Sequence, residues 1–245
     1  MVSLYPDIVI SEGIEALTEA IKETNILSES ETTNVLSLAD FLLRNNEFEF
    51  NGQYFRQISG TAMGTPFAVT YANIYMSFWT RKYWIQTPCQ PDIHYRFIDD
   101  IWAWSSASSE DIQTFFTCLN TQHPHIKFTM EISQDWVPFL DVKVISDGNS
   151  FQTDLFSKET ASHRYLPPTS CHPRHVFNSI PYSGALRIPR ICSKVEWAEK
   201  HLAEFCSYLQ SCGYKRNKIL KMFEKAKRPP RNELLTYEHK DSVNS

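Results

Sequence analysis

Residues 94–104 read His94-Tyr95-Arg96-Phe97-Ile98-Asp99-Asp100-Ile101-Trp102-Ala103-Trp104, and no other stretch restricts the fold so tightly. Aromatic and β-branched residues favour a pleated, half-buried surface, so the pattern predicts two strands with Asp99 and Asp100 at the turn between them. Adjacent carboxylates repel unless a cation lies close by. Hard oxygen donors suit a divalent metal, and two such ions about 4 Å apart are a standard device for in-line phosphoryl transfer. An Asp-Asp pair also occurs as plain turn chemistry. Its meaning therefore depends on the rest of the chain.

A chain of 245 residues can form one large domain or two small ones and bury a substantial core. Aromatic residues make up 13 % and only 7 positions are glycine, which argues for packing and against disorder. No apolar run reaches the length of a membrane span, and the start lacks a basic segment followed by an apolar one. The expectation is an intracellular soluble chain without membrane contact, nuclear residence being open. The cysteines at 89, 118, 171, 192, 206 and 212 show no C-x-x-C spacing, so the pattern indicates neither a disulfide framework nor a zinc ribbon. A net charge of −4 does not advertise nucleic-acid binding. Its distribution says more than the sum, because Lys215, Arg216, Lys218, Lys221, Lys225, Lys227, Arg228 and Arg231 cluster near the end around a single acid, Glu224.

In chain order, residues 1–10 read as a strand end turning at Pro6, and Ile14, Leu17 and Ile21 place a helix over 12–23. A second helix builds on Val35, Leu38, Phe41 and Leu42, with Asn45 as its stop. Asn51-Gly52 supplies the two positive-φ residues of a type I′ hairpin. Residues 57–66 form a small-residue loop that opens a helix carrying Ala68, Tyr71, Ala72, Tyr75 and Phe78. Glycines there serve either close approach to another backbone or ligand, or a tight turn and helix cap. Past the central hairpin, Ser108 to Asp111 start a helix with Ile112, Phe115, Phe116 and Leu119 on one face. Alternation over 126–132 predicts a strand; residues 137–145 predict another, turned by Asp147-Gly148 into 151–156. This order predicts an α+β domain, a largely antiparallel sheet with helices on one face, over residues 1–165. A small helical domain follows over 166–231, then a polar, poorly ordered tail over 232–245.

Together these segments carry a resemblance. Gln57, Gly60, Met63, Gly64 and Pro66, followed by Ala72-Asn73, resemble the B motif of Penelope-like and related retroelement reverse transcriptases. Arg96-Phe97-Ile98-Asp99-Asp100 follows at a suitable distance as the metal-binding motif. Ile126-Lys127-Phe128-Thr129, Pro138-Phe139-Leu140-Asp141-Val142, Phe156-Ser157-Lys158 and Ser170-Cys171-His172-Pro173 then occur in the family's order, over roughly residues 1–225. The resemblance implies a palm-like antiparallel sheet, a helical thumb and an RNA-directed DNA polymerase acting on an RNA template, a DNA primer and deoxynucleotides.

It also implies roles. Asp99 becomes the principal ligand of a two-Mg²⁺ site and Asp100 a weaker or orienting one. Tyr5 screens the sugar 2′ position, while Gln57, Gly60, Met63 and Gly64 shape the nucleotide and template floor. Lys158 steadies the primer end. Lys127 is either a proton donor to pyrophosphate or an exposed strand lysine. Lys215, Lys218 and Lys221 either contact phosphates or line a solvated helix face. The family's first metal-binding aspartate lies five positions before the residue matching Tyr5, one residue before Met1. The fingers region and an endonuclease domain are likewise missing from these 245 residues. The expectation is a truncated reverse transcriptase, inactive as the isolated chain, with a non-catalytic nucleic-acid-binding remnant as the alternative. A third reading, a zinc site from Cys171, His172 and His175 with another cysteine, fits no common ligand spacing.

Overall fold

Ser28 begins one helix and Ser108 another, each by accepting a hydrogen bond from a backbone N–H three residues on. The computed structural model of the protein describes residues 3–226 and Leu235. The chain divides into two compact units, Met1–Glu131 and Ile132–Ser245.

The first unit starts with a turn in which the Asp7 N–H donates to the Leu4 carbonyl at 3.0 Å. Residues 3–9 form no strand, contrary to the sequence expectation. Their carbonyls are taken by a loop instead: Thr61 N–H donates to Tyr5 and Gly60 N–H to Ile8, at 2.8 and 3.0 Å. Helix α1 (Ile10–Thr24) follows, then α2 (Glu29–Arg44), whose capping box joins Ser28 and Glu31. The expected apolar stripe of α2 is turned outward, with Leu38 and Phe41 about 60 % exposed. The smaller Ala39 and the neighbouring Leu43 are the buried positions, and α2 packs on α1. Strands β1 (Glu47–Phe50) and β2 (Gln53–Arg56) form the expected hairpin, with Asn51 and Gly52 at φ 51° and 75°.

Helix α3 (Pro66–Lys82) is the centre of this unit. Ala68, Tyr71, Ala72, Tyr75, Met76, Phe78 and Trp79 are all buried on it, joined by Leu4, Ile8 and Ile10. Burying large side chains such as these stabilises by about 1.5–3 kcal/mol each, which makes α3 the natural anchor for nearby loops. Glu12 of α1 accepts the Tyr75 hydroxyl at 3.0 Å and lies 2.9 Å from His123 Nε2. Because His123 Nδ1 accepts the N–H groups of His125 and Ile126, the proton sits on Nε2 and is donated to Glu12. Burial, reinforced by the Glu12 charge, pushes the Tyr75 hydroxyl well above its usual pKa.

A single 3-10 turn (Trp84–Gln86) leads to β3 (Ile93–Phe97) and β4 (Asp100–Trp104), and α4 (Ser109–Thr121) follows. The strand expected over 126–132 is not formed. Side chains replace its ladder: Ile126 N–H is bound by His123, and Phe128 N–H by Asn120 Oδ1 at 2.8 Å.

In the second unit, β5 (Trp136–Phe139), β6 (Val142–Ser146) and β7 (Phe151–Leu155) make an antiparallel sheet in that order. The turn into β7 carries Gly148 at φ 88°. Helices α5 (Arg174–Ile191), α6 (Val195–Ser211) and α7 (Arg216–Ala226) bury Ile188, Leu202, Phe205, Leu209, Ile219 and Phe223 together. A clamp fastens the end of α5 to β7, where Thr153 N–H donates to Ser193 Oγ and Ser193 N–H to the Thr153 carbonyl. The architecture is α+β, its antiparallel pairing distributed over three small sheets among the described residues. Basic positions 227, 228 and 231 and the tail expected over 232–245, Leu235 apart, lie outside the described residues.

Candidate functional site

Phe97 pairs with Asp100, leaving Ile98 and Asp99 as the two-residue turn of the central hairpin. Asp99 is half-buried at the turn, and Asp100 is the exposed first residue of β4 rather than a second turn residue. Ile98 has φ 53°, a conformation that β-branched residues rarely adopt and that costs about 1–2 kcal/mol. Two interactions hold it there. The Ile98 side chain packs on the α3 core, and its carbonyl accepts from Arg96 Nη1 at 3.0 Å. The same guanidinium nitrogen reaches Asn73 Oδ1 on α3 at 3.3 Å, so the acidic turn is tied to that helix. Burial lowers the Arg96 pKa from its ordinary value.

The glycine-bearing loop, which leads into α3, is tied to the turn at residues 5–8. Gly60 is buried at φ 73°, and a Cβ placed on it would overlap the Tyr5 carbonyl oxygen and Pro6 Cα. Close approach of two backbones is therefore the use of this glycine. Ser59 adds a bond from its hydroxyl to the Pro6 carbonyl at 3.1 Å. Tyr5 is partly buried and packs on the α3 core. Gln57 is committed locally: its amide accepts from Asn46 at 2.6 Å and donates to the Ser59 carbonyl at 2.7 Å. Met63 and Gly64 are exposed just before α3, and nothing lies near Gly64. The Tyr5 turn and the Asp99 turn are thus fastened to one helix, and the Gly60 loop to the Tyr5 turn.

Lys127 caps a helix. Its Nζ donates to the carbonyls of Asn120 and His123 at 2.6 and 2.8 Å, at the end of α4. The lysine is exposed, but it lies in no strand: its charge is spent on carbonyls at the end of a helix.

In the second unit, Lys158 is exposed at the rim of a cavity of about 620 Å³ lined also by His163, Arg187, His201 and Glu204. Lys215, Lys218 and Lys221 are all exposed on or beside α7, opposite buried Ile219 and Phe223. No acid occupies the first turn of α7, where Arg216 and Lys218 stand at the positive end of the helix dipole. Cations there repel the dipole and each other, and an anion bound alongside relieves both. The α6–α7 connection is short. Tyr214 N–H donates to the Leu209 carbonyl and Gly213 N–H to that of Gln210, a Schellman closure with Gly213 at φ 93°.

Asp99 and Asp100 offer hard oxygen donors, but no third Asp, Glu, His or Cys completes a ligand group with them among the described residues. They do not by themselves assemble a two-metal centre. Cys171, His172 and His175 form no such group either, and His172 Nδ1 is engaged by Ser170 Oγ at 2.7 Å. One triple does assemble among the described residues: Asp154, Cys192 and His201. Sequence inspection misses it, because Cys192 and His201 stand 38 and 47 residues beyond Asp154 with no recognisable ligand spacing.

No helix of the described residues is long and apolar enough to cross a membrane. No curated protein and no solved structure matches the chain. Residues 164–224, which contain α5, α6 and most of α7, match the family model of the animal helix-turn-helix domain.

Proposed function

We propose that the chain is the palm-and-thumb part of a retroelement reverse transcriptase, an RNA-directed DNA polymerase. In this reading the chain grips RNA template and DNA primer, and Asp99 and Asp100 by themselves do not support primer extension. One observation carries the proposal: the Tyr5 turn and the Asp99 hairpin are both fastened to α3, and the Gly60 loop that leads into α3 is bonded to the Tyr5 turn. In this reading Asp99 supplies a carboxylate for Mg²⁺ and Asp100 orients it. Tyr5 meets the deoxynucleotide sugar, and Met63 and Gly64 underlie the base. Gln57 acts indirectly by holding the loop through Asn46 and Ser59. Mg²⁺ would stabilise the attacking and leaving oxygens, but Asp99 and Asp100 alone do not complete a two-metal ligand set. Phosphoryl transfer therefore requires a further carboxylate.

Primer extension on an RNA template tests this directly, using the chain alone and the chain extended upstream by a segment carrying the aspartate. The expected result is no extension alone and extension with the segment, abolished again by Asp99→Ala. Robust extension by the 245-residue chain would overturn the gripping role. Failure to extend even with the segment would overturn the polymerase assignment.

The α7 cations and the helix-turn-helix match favour a second reading, a non-catalytic nucleic-acid-binding remnant. A helix-turn-helix commonly presents its second helix to nucleic acid. In that case binding persists without Mg²⁺, falls steeply with salt, and no upstream segment restores extension.

A further inference from the structure

Asp154 of β7, Cys192 at the end of α5 and His201 of α6 place one ligand atom each within 4.8 Å of the others. His201 Nε2 lies 3.0 Å from Asp154 Oδ1, and Cys192 Sγ lies 3.4 Å from the same oxygen. Tetrahedral zinc bonds of about 2.0–2.3 Å put neighbouring ligand atoms about 3.3–3.6 Å apart. The His201–Asp154 and Cys192–Asp154 separations lie within a few tenths of an ångström of that spacing, and Cys192 and His201 lie within 4.8 Å of each other.

The hydrogen bonding of His201 points the same way. Its Nδ1 faces Glu204 Oε2 at 3.0 Å while its Nε2 faces Asp154. A neutral imidazole has one N–H, and carboxylate oxygens accept but do not donate when ionised. One of the two pairings therefore lacks a proton unless the ring is cationic or a metal replaces the proton at Nε2. With the metal in place, Nδ1–H donates to Glu204, the second-sphere arrangement that fixes ligating histidines.

The position is also built rather than incidental. The Thr153–Ser193 clamp, with Thr153 Oγ1 donating to the Ile191 carbonyl, sets Cys192 beside Asp154. Cys192 is only 2 % exposed, whereas His201 and Glu204 line the 620 Å³ cavity, so the histidine side of the triple opens onto space through which an ion can enter. A thiolate, an imidazole and a carboxylate together select zinc over magnesium or calcium.

We propose that Asp154, Cys192 and His201 bind a zinc ion, with Glu204 orienting His201 and water from the cavity completing the tetrahedron. The test uses the full chain, stripped with a chelator and titrated with Zn²⁺ alone, then with Co²⁺ as a spectroscopic probe. One ion per chain is expected, with a thiolate-to-cobalt charge-transfer band. Cys192→Ser and His201→Gln should weaken binding roughly 100-fold or more, and Glu204→Gln, which touches no ion, by about 10–100-fold. Should Cys192→Ser fail to fold, His201→Gln, checked by circular dichroism, and the cobalt spectrum of the unsubstituted chain decide the matter. Absence of a stoichiometric ion, a cobalt spectrum without the thiolate band, or equal affinity in His201→Gln would overturn the site.

Discussion

Gly60 and Gly64 stand four residues apart, both at positive φ, 73° and 92°, yet alanine at the two positions should have different effects. At Gly64 the space is open, so Gly64→Ala carries only the left-handed backbone penalty, about 1–2 kcal/mol. At Gly60 the new methyl must also displace the Tyr5 and Pro6 backbone, so Gly60→Ala should cost about 3 kcal/mol or more. Chemical denaturation of the two variants checks the order, and equal destabilisation would remove the close approach argued for Gly60. The amino-acid string leaves this distinction open: both glycines sit in one small-residue loop, and only the seat of Gly60 on the preceding turn separates them. The hairpin around Asp99 is legible, but its turn lies one residue earlier than the Asp-Asp pair suggests: Ile98 and Asp99 form it, and Asp100 opens β4. The αL conformation of Ile98 is not legible, because a β-branched residue gives no local signal for it.

Elements whose register is set by short-range chemistry are the most legible. Asn51-Gly52 and Asp147-Gly148 fix hairpins through their own backbone preferences, and Ser28 and Ser108 cap helices within one turn. Residues 126–132 mislead for the converse reason. Their alternating pattern reflects a fully buried Ile126 and a part-buried Phe128, but His123 and Asn120 take the amides a neighbouring strand would have used. The face of α2 is inverted similarly, since close packing on α1 favours Ala39 over the larger Leu38 and Phe41. For α7, reversing charge at Lys218 and Lys221 should weaken RNA or primer–template binding. The slope of log affinity against log salt should fall by about 1 for each phosphate that the helix no longer neutralises. Binding titrations over a salt series measure this. An unchanged slope would make the α7 cations a solvated face.

At the scale of the molecule, two buried clusters that share no residue account for the two units. The sequence pattern changes character near residue 166, whereas the compact division falls at 131 and 132. The difference arises because β7 is fastened to α5 through Thr153 and Ser193, so its three-stranded sheet belongs with the helices that follow. Leu209 is fully buried among those helices, and Leu209→Ala should destabilise them by about 2–5 kcal/mol. Hydrogen exchange over α5, α6 and α7 reads that destabilisation, and unchanged protection would remove Leu209 from the core. The Asp154–Cys192–His201 triple escapes sequence inspection for the same reason, since it depends on that long-range fastening. The fastening has one more effect. β7 forms the outer margin of its sheet, where exposed amides and carbonyls ordinarily invite an additional strand from another chain; at Thr153 both groups are already occupied by Ser193, so edgewise polymerisation is blocked at the middle of that margin.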